Sequence, residues 1–261
     1  MKLITWNVNS LRTRLERVVA LLEQQQPDVL CLQETKVTDE AFPHEAFAPL
    51  GYRAEVFGQR TYNGVALLSR HPLQAVQRGF PGDPLPTEAR VIAAEVEGVR
   101  VINVYVVNGQ AIDSEKYPRK LAWLDALLAW VRDQYDPAQP LLLAGDFNIA
   151  PDDRDVHDPA AWQGQVLCSE PERARLGRLL EWGLVDLLRH LDPRAGVYSW
   201  WDYRAGAFPR NAGLRIDLVL GSAPMVRRCT AVAVEREARK LTTGPGKPSD
   251  HAPVVATFGE G

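Results

Sequence analysis

The feature that most constrains this chain is a succession of short β-branched runs, several of which follow one another with no room for a helix between them. The runs are Lys2–Trp6, Val29–Gln33, Gly64–Ser69, Val91–Glu95, Arg100–Val106, Leu141–Gly145, Arg215–Leu220, Thr230–Val234 and Pro253–Phe258. Their length and β-branched content are those of buried strands. Parallel neighbours need a crossover of a dozen or more residues. Only Val96 to Val99 separates Val91–Glu95 from Arg100–Val106, so a purely doubly wound sheet is excluded. Helical periodicity is confined to three stretches. One runs from a Ser10 cap to about Glu23, one from Ser114 through Gln134, and one from about Glu170 to Trp182. The expected fold class is therefore α/β, with two mixed, mainly antiparallel sheets packed together and helices outside them.

No repeat, linker or low-complexity tract divides the 261 residues. A single domain over 1–261 is the simplest reading. The three cysteines have no metal-like spacing, and their odd number fits a reducing compartment. No signal-like or membrane-spanning run is present, so a cytoplasmic location is expected, with no membrane partner. The net charge of −3 argues against a simple DNA-coating protein. Charge is unevenly distributed, however. Asp152, Asp153 and Asp155 cluster in one place, and Arg12, Arg14 and Arg17 in another. An enzyme that holds a metal with carboxylates looks acidic overall and still binds phosphate.

Polar residues recur at the ends of the strand-like runs. They include Asn7 and Asn9 after the first, Glu34 after the second, Asp146 and Asn148 after Leu141–Gly145, Asp217 within Arg215–Leu220, and Asp250-His251 near the end. Each alone is a turn, a cap or a solvated strand end. Asp217 is the exception, because Ile216, Leu218, Val219 and Leu220 flank it and a buried carboxylate needs a partner. Together they point to one metal site with an acid/base apparatus. Phosphodiester hydrolysis needs a hard cation, and Mg²⁺ uses few carboxylates. Glu34 fits that role, with Asp250. Asp146 is the candidate to orient and deprotonate water. His251 is the candidate phosphate donor, held in its tautomer by Asp217.

The segments Ile4–Arg12, Pro27–Lys36, Gly145–Pro151, Gly213–Asp217 and Ser249–Pro253 resemble, in order, those of the exonuclease III family of apurinic/apyrimidinic (AP) endonucleases, within the DNase I-like fold. The resemblance spans nearly the whole chain. It implies a four-layer α/β sandwich and Mg²⁺ (or Mn²⁺) dependence. By resemblance the metal residues are Glu34, Asn7 and Asp250. The catalytic set is Asp146, His251, Asp217, Asn148 and Tyr105, and Asn108 is a further phosphate-side amide. Trp200, Leu214 and Ile216 would wall a pocket for a flipped-out sugar without its base. The implied substrate is double-stranded DNA with abasic sites or damaged 3′ ends, and the implied state is a monomer. The chain departs from the pattern around Asp152 to Cys168. Leu167 stands where many members carry a small residue followed by an aromatic, which bears on the balance between AP incision and 3′-end processing. The loop from Asn108 to Tyr117 mixes Asp113 and Glu115 with Lys116, so its attraction for phosphate is modest. Two rivals are disfavoured. A phosphatase or sphingomyelinase of the same fold lacks the form of Gly213–Asp217, and a decayed DNA-binding module would have lost these ligands.

Overall fold

The computed structural model describes residues 1–260. Two six-stranded sheets face each other. The first has the order β11-β12-β1-β2-β4-β3 and the second β5-β6-β7-β8-β10-β9. The strands are β1 Lys2–Asn7, β2 Val29–Gln33, β3 Arg53–Phe57, β4 Val65–Ser69, β5 Gln74–Arg78, β6 Val91–Val96, β7 Val99–Tyr105, β8 Leu141–Asp146, β9 Val185–Asp186, β10 Asp217–Gly221, β11 Cys229–Val234 and β12 Val254–Phe258. The pairs β1–β2 and β7–β8 are parallel, and the others are antiparallel. Seven α-helices lie among the described residues, besides short 3-10 turns: α1 Leu11–Gln25, α2 His44–Phe47, α3 Lys116–Gln134, α4 Pro159–Trp162, α5 Glu170–Trp182, α6 Leu187–Leu191 and α7 Ala223–Arg228.

The layering follows from side-chain alternation along the strands. Leu3, Val29, Cys31, Val65 and Leu67 point inward and meet Val101, Leu142 and Ala144 of the other sheet. Their neighbours Ile4, Trp6, Leu30 and Leu68 point outward onto Leu11, Val18 and Leu22 of α1. Ile102, Val104 and Leu143 of the second sheet pack against Trp123 and Leu127 of α3 and Leu176 and Leu179 of α5. Strands buried on both faces need apolar residues throughout, which is why β2, β4 and β8 carry continuous apolar runs. The result is the expected four-layer α/β sandwich. No helix among the described residues is long and apolar enough to cross a membrane.

β3, β5 and β9 did not stand out in the sequence. β3 and β5 lie at sheet edges and read Arg-Ala-Glu-Val-Phe and Gln-Ala-Val-Gln-Arg. Edge strands are commonly polar, which removes the apolar signal. The Ser10 side chain does not cap α1. Instead the N–H groups of Ser10 and Leu11 donate to the carbonyls of Glu34 and Thr35 (2.8 and 3.0 Å). The start of α1 is thus tied to the loop that carries Glu34.

A polar bridge joins the sheets directly behind the strand ends. Gln33 Nε2 donates to Thr5 Oγ1 and Asn103 Oδ1, both at 2.8 Å. Asn103 Nδ2 donates to the carbonyls of Leu32 and Ala66, both at 2.9 Å. The next residues outward are Glu34 and, two along β7, Tyr105.

Candidate active site

Strand register gathers the polar ends. Asp146 ends β8, opposite Tyr105 of β7 and Asp217 of β10. Asn7 ends β1 opposite Gln33, one residue before Glu34. The approach of β8 to β7 demands glycine at 145. Its φ is +148°, and a Cβ there would lie 1.9 Å from the Val104 carbonyl oxygen; only glycine tolerates both.

Asn7 joins the two sheets at the site. Its Nδ2 donates to Glu34 Oε1 (2.9 Å) and to Asp146 Oδ2 (2.8 Å). Its Oδ1 accepts from the Asn9 N–H (2.9 Å). Asn7 therefore presents its nitrogen to the carboxylates and holds them together. Glu34, Asp146 and His251 each offer a ligand atom within 4.8 Å of the others. Two carboxylates at that spacing suit a divalent cation with oxygen preference, and the imidazole beside them faces the same space. Asp250 lies outside that group. Its oxygens accept from Asn9 Nδ2 (3.1 Å) and Trp200 Nε1 (3.0 Å). Lys36 Nζ sits 2.9 Å from Glu34 Oε2 and 2.6 Å from Asn9 Oδ1.

His251 Nδ1 lies 2.8 Å from Asp217 Oδ2, and its Nε2 lies 3.8 Å from Asp146 Oδ2. Burial alone would lower the imidazole pKa, but Asp217 and Asp146 outweigh it and raise it to about 10. His251 is thus an imidazolium near neutrality, with a proton on each nitrogen. Asp146 moves up to about 7, chiefly because burial disfavours its charged form, while His251 opposes the shift. Burial also pushes the Tyr105 hydroxyl well up, helped by Glu34 and Asp146. Asp250 is held below its usual range: burial works against this, but His251, Trp200 and Asn9 prevail.

The amides form a second row. Asn148 has a left-handed backbone (φ +49°). Its N–H donates to Asp146 Oδ1 (2.9 Å) and its Nδ2 to the Val106 carbonyl (2.9 Å). Its Oδ1 accepts from Asn108 Nδ2 (3.0 Å). Trp200, Leu214 and Ile216 also come together, in one apolar cluster with Val156, Leu167 and Cys168. Leu214 and Ile216 are 0% and 2% exposed, and Leu167 is 5% exposed. Arg215, between them in sequence, is buried on Asp155 and Asp186 (2.6 and 2.7 Å).

Sequence reasoning gave no role to Asn9, Lys36 or Ser199. Asn9 and Lys36 stood within the quoted segments, and their side chains now hold Asp250 and Glu34. Ser199 carried no signal. Its Oγ donates to Asp217 Oδ2 (2.7 Å) and accepts from the Asp217 N–H (3.0 Å), fixing the carboxylate that pairs with His251.

The raised pKa of Asp146 has a consequence for stability. A group that binds its proton more tightly when folded loses stabilisation as pH rises to its folded pKa. For Asp146 that window runs from the ordinary carboxylate range up to about 7. In EDTA, Asp146→Asn should therefore gain melting temperature relative to the parent chain as pH climbs through that window, and Mg²⁺ should narrow the gap by favouring the ionised carboxylate. A difference that stays flat with pH would mean that Asp146 is not strained by burial.

Comparison with known proteins gives a consistent result. The model of the endonuclease/exonuclease/phosphatase family matches residues 4–251. The exodeoxyribonuclease III of Haemophilus influenzae is 39% identical, over 99% of this chain and 100% of its own length. A Neisseria 3′ phosphatase, solved with a product DNA hairpin, is 46% identical and superposes with a TM-score of 0.95 over 100% of both chains. An AP endonuclease from Archaeoglobus fulgidus is 39% identical, with a TM-score of 0.94 over 99% of both chains. By family match and full-length identity alike, the chain belongs to the endonuclease/exonuclease/phosphatase family.

Proposed function

We propose that this chain is a divalent-metal-dependent DNA nuclease of the exonuclease III type, that it works chiefly at 3′ ends, and that Leu167 restrains its incision at abasic sites. The observation that carries the reading is the convergence of Glu34, Asp146 and His251 within 4.8 Å at the strand ends. The relatives named as an exodeoxyribonuclease III and a DNA-bound 3′ phosphatase support the same substrate class.

Glu34 would hold the cation, proposed as Mg²⁺ with Mn²⁺ as a substitute, and Asn7 would keep its carboxylate in place beside that of Asp146. Once bound, the ion offsets charge on the phosphate and on the leaving oxygen. Asp146 orients the attacking water and takes its proton. The His251 imidazolium donates from Nε2 to a phosphate oxygen as charge develops there, and Asp217 holds its other nitrogen. Asn148, Asn108 and Tyr105 complete the polar cradle. Asp250 acts at one remove, by fixing Asn9 and Trp200.

The restraint on abasic sites rests on burial. Leu214 and Ile216 are closed off in a cluster that contains Leu167. An extruded sugar needs that space. The proposal includes a monomer acting in the cytoplasm on duplex DNA.

The test compares two duplexes in Mg²⁺ with an EDTA control. One carries a 3′-phosphate at a nick or recess and the other a central abasic analogue. Rapid, metal-dependent removal of the phosphate with slow incision of the second supports the proposal. Rapid incision at the abasic analogue would remove the restraint assigned to Leu167. Inactivity on both would reject the nuclease reading.

A further inference from the structure

α3 presents its apolar face to the second sheet, yet a lysine lies within that face. Lys120 is 0% exposed, near Trp123 and Leu124. A buried ammonium must place its three protons on acceptors. Lys120 Nζ donates to the Asn108 carbonyl (3.1 Å), to the Asn148 carbonyl (2.6 Å) and to Glu172 of α5. Glu172 is equally buried. Besides Lys120, it accepts from the Leu167 N–H (3.0 Å) and the Ser169 N–H (3.2 Å). Burial lowers the Lys120 pKa, and Glu172 resists the fall.

Two of those acceptors are the backbone carbonyls of the two amide residues of the site. Asn108 follows β7 and Asn148 follows β8, and their side chains are joined at 3.0 Å. Both loops make non-helical turns, and the Asn148 backbone is left-handed. An apolar residue on α3 would leave both carbonyls without this donor.

We propose that Lys120 is a positioning residue: through the Asn108 and Asn148 carbonyls it fixes the paired amides against the reacting phosphate, with Glu172 as the buried counter-ion that keeps it charged. This rests on the proposed hydrolysis. Misplacing a positioning group by about 1 Å costs on the order of 100-fold in rate.

The experiment measures kcat and KM on the 3′-phosphorylated duplex for the parent chain, Lys120→Met and Leu124→Ala. The last destabilises the same helix through its core face. The expected result is a kcat about 100-fold lower for Lys120→Met, with KM and Mg²⁺ dependence nearly unchanged, and a parental kcat for Leu124→Ala at a temperature where both variants are folded. Equal kcat losses in the two variants, or a parental kcat in Lys120→Met, would overturn the assignment. If Lys120→Met does not fold, Glu172→Gln replaces it. This variant keeps the shape and removes the charge that anchors the lysine. It should lower kcat with KM retained, whereas a lower melting temperature with parental kcat overturns the proposal. If the parent chain itself does not hydrolyse the duplex, the functional reading fails separately. The positioning claim is then decided by the side-chain amide resonances of Asn108 and Asn148. They should shift or broaden in the lysine variant (or in Glu172→Gln in its place) and not in Leu124→Ala; unchanged resonances overturn the claim.

Discussion

Asp146→Asn is expected to lower kcat on a 3′-phosphorylated duplex by about 10² to 10⁴, the range lost when a positioned proton acceptor is removed. The substitution keeps the shape of the side chain. It also keeps an oxygen able to accept from the Asn148 N–H, which sits 2.9 Å from Asp146 Oδ1. Two things are lost. An amide cannot take the proton of an attacking water. In addition, a donor now faces the Asn7 amide, which at present gives Asp146 Oδ2 a 2.8 Å hydrogen bond.

DNA affinity should survive the change, because a negative charge is removed from a site that receives a phosphate. Single-turnover cleavage at saturating Mg²⁺, beside a binding titration, separates the effects. Slow chemistry with retained binding assigns the proton to Asp146. Rates that recover fully at high metal concentration would assign Asp146 to holding the ion instead. Full activity in ordinary buffer would place the base elsewhere.

Much of this site was legible in the sequence because strand ends leave a trace. A strand buried on both faces is a continuous apolar run, so a polar residue at its end stands out. Asp146 after Leu141–Ala144 and Asp217 before Leu218–Leu220 are of this kind, and register places them directly opposite each other. The layer order was legible for the same reason. The edge strands β3 and β5 were not, because half-exposed strands lack that contrast. Residues that act on another side chain were equally hidden. Ser199 is a small residue beside two tryptophans, and nothing in its neighbours announces a bond to Asp217. Lys120 lies in a helix whose pattern reads as amphipathic, where a lysine is ordinarily solvated. Its burial is fixed by Glu172, more than fifty positions away along the chain. The orientation of Asn7 was also beyond sequence. The residue type was noted, but whether its oxygen or its nitrogen faces the carboxylates is decided by the Asn9 N–H, which takes the oxygen.

Leu167→Gly is expected to convert a weak abasic-site activity into a strong one, raising kcat/KM on the abasic duplex by about 10- to 200-fold, the range that small changes of pocket volume command. The backbone around this residue is held from both sides. The Leu167 N–H donates to Glu172 (3.0 Å), and its carbonyl accepts from the Ala150 N–H (2.8 Å). Removing the side chain should therefore leave the loop in place and open space against Leu214, Ile216 and Trp200. Glycine also suits the conformation, since Leu167 has a φ of +75°, where a side chain costs roughly 1–2 kcal/mol. That gain offsets part of the packing lost with a buried leucine, about 2–5 kcal/mol for truncation. Removal of a 3′-phosphate should change little, because the phosphate cradle at Asp146, Asn148 and His251 does not include Leu167. The readout is the ratio of the two kcat/KM values. A ratio that shifts toward the abasic substrate identifies the leucine side chain as the gate. A ratio that stays at the parental value would place the gate elsewhere, first in Trp200, whose indole is fixed on Asp250 at 3.0 Å and whose ring belongs to the same cluster.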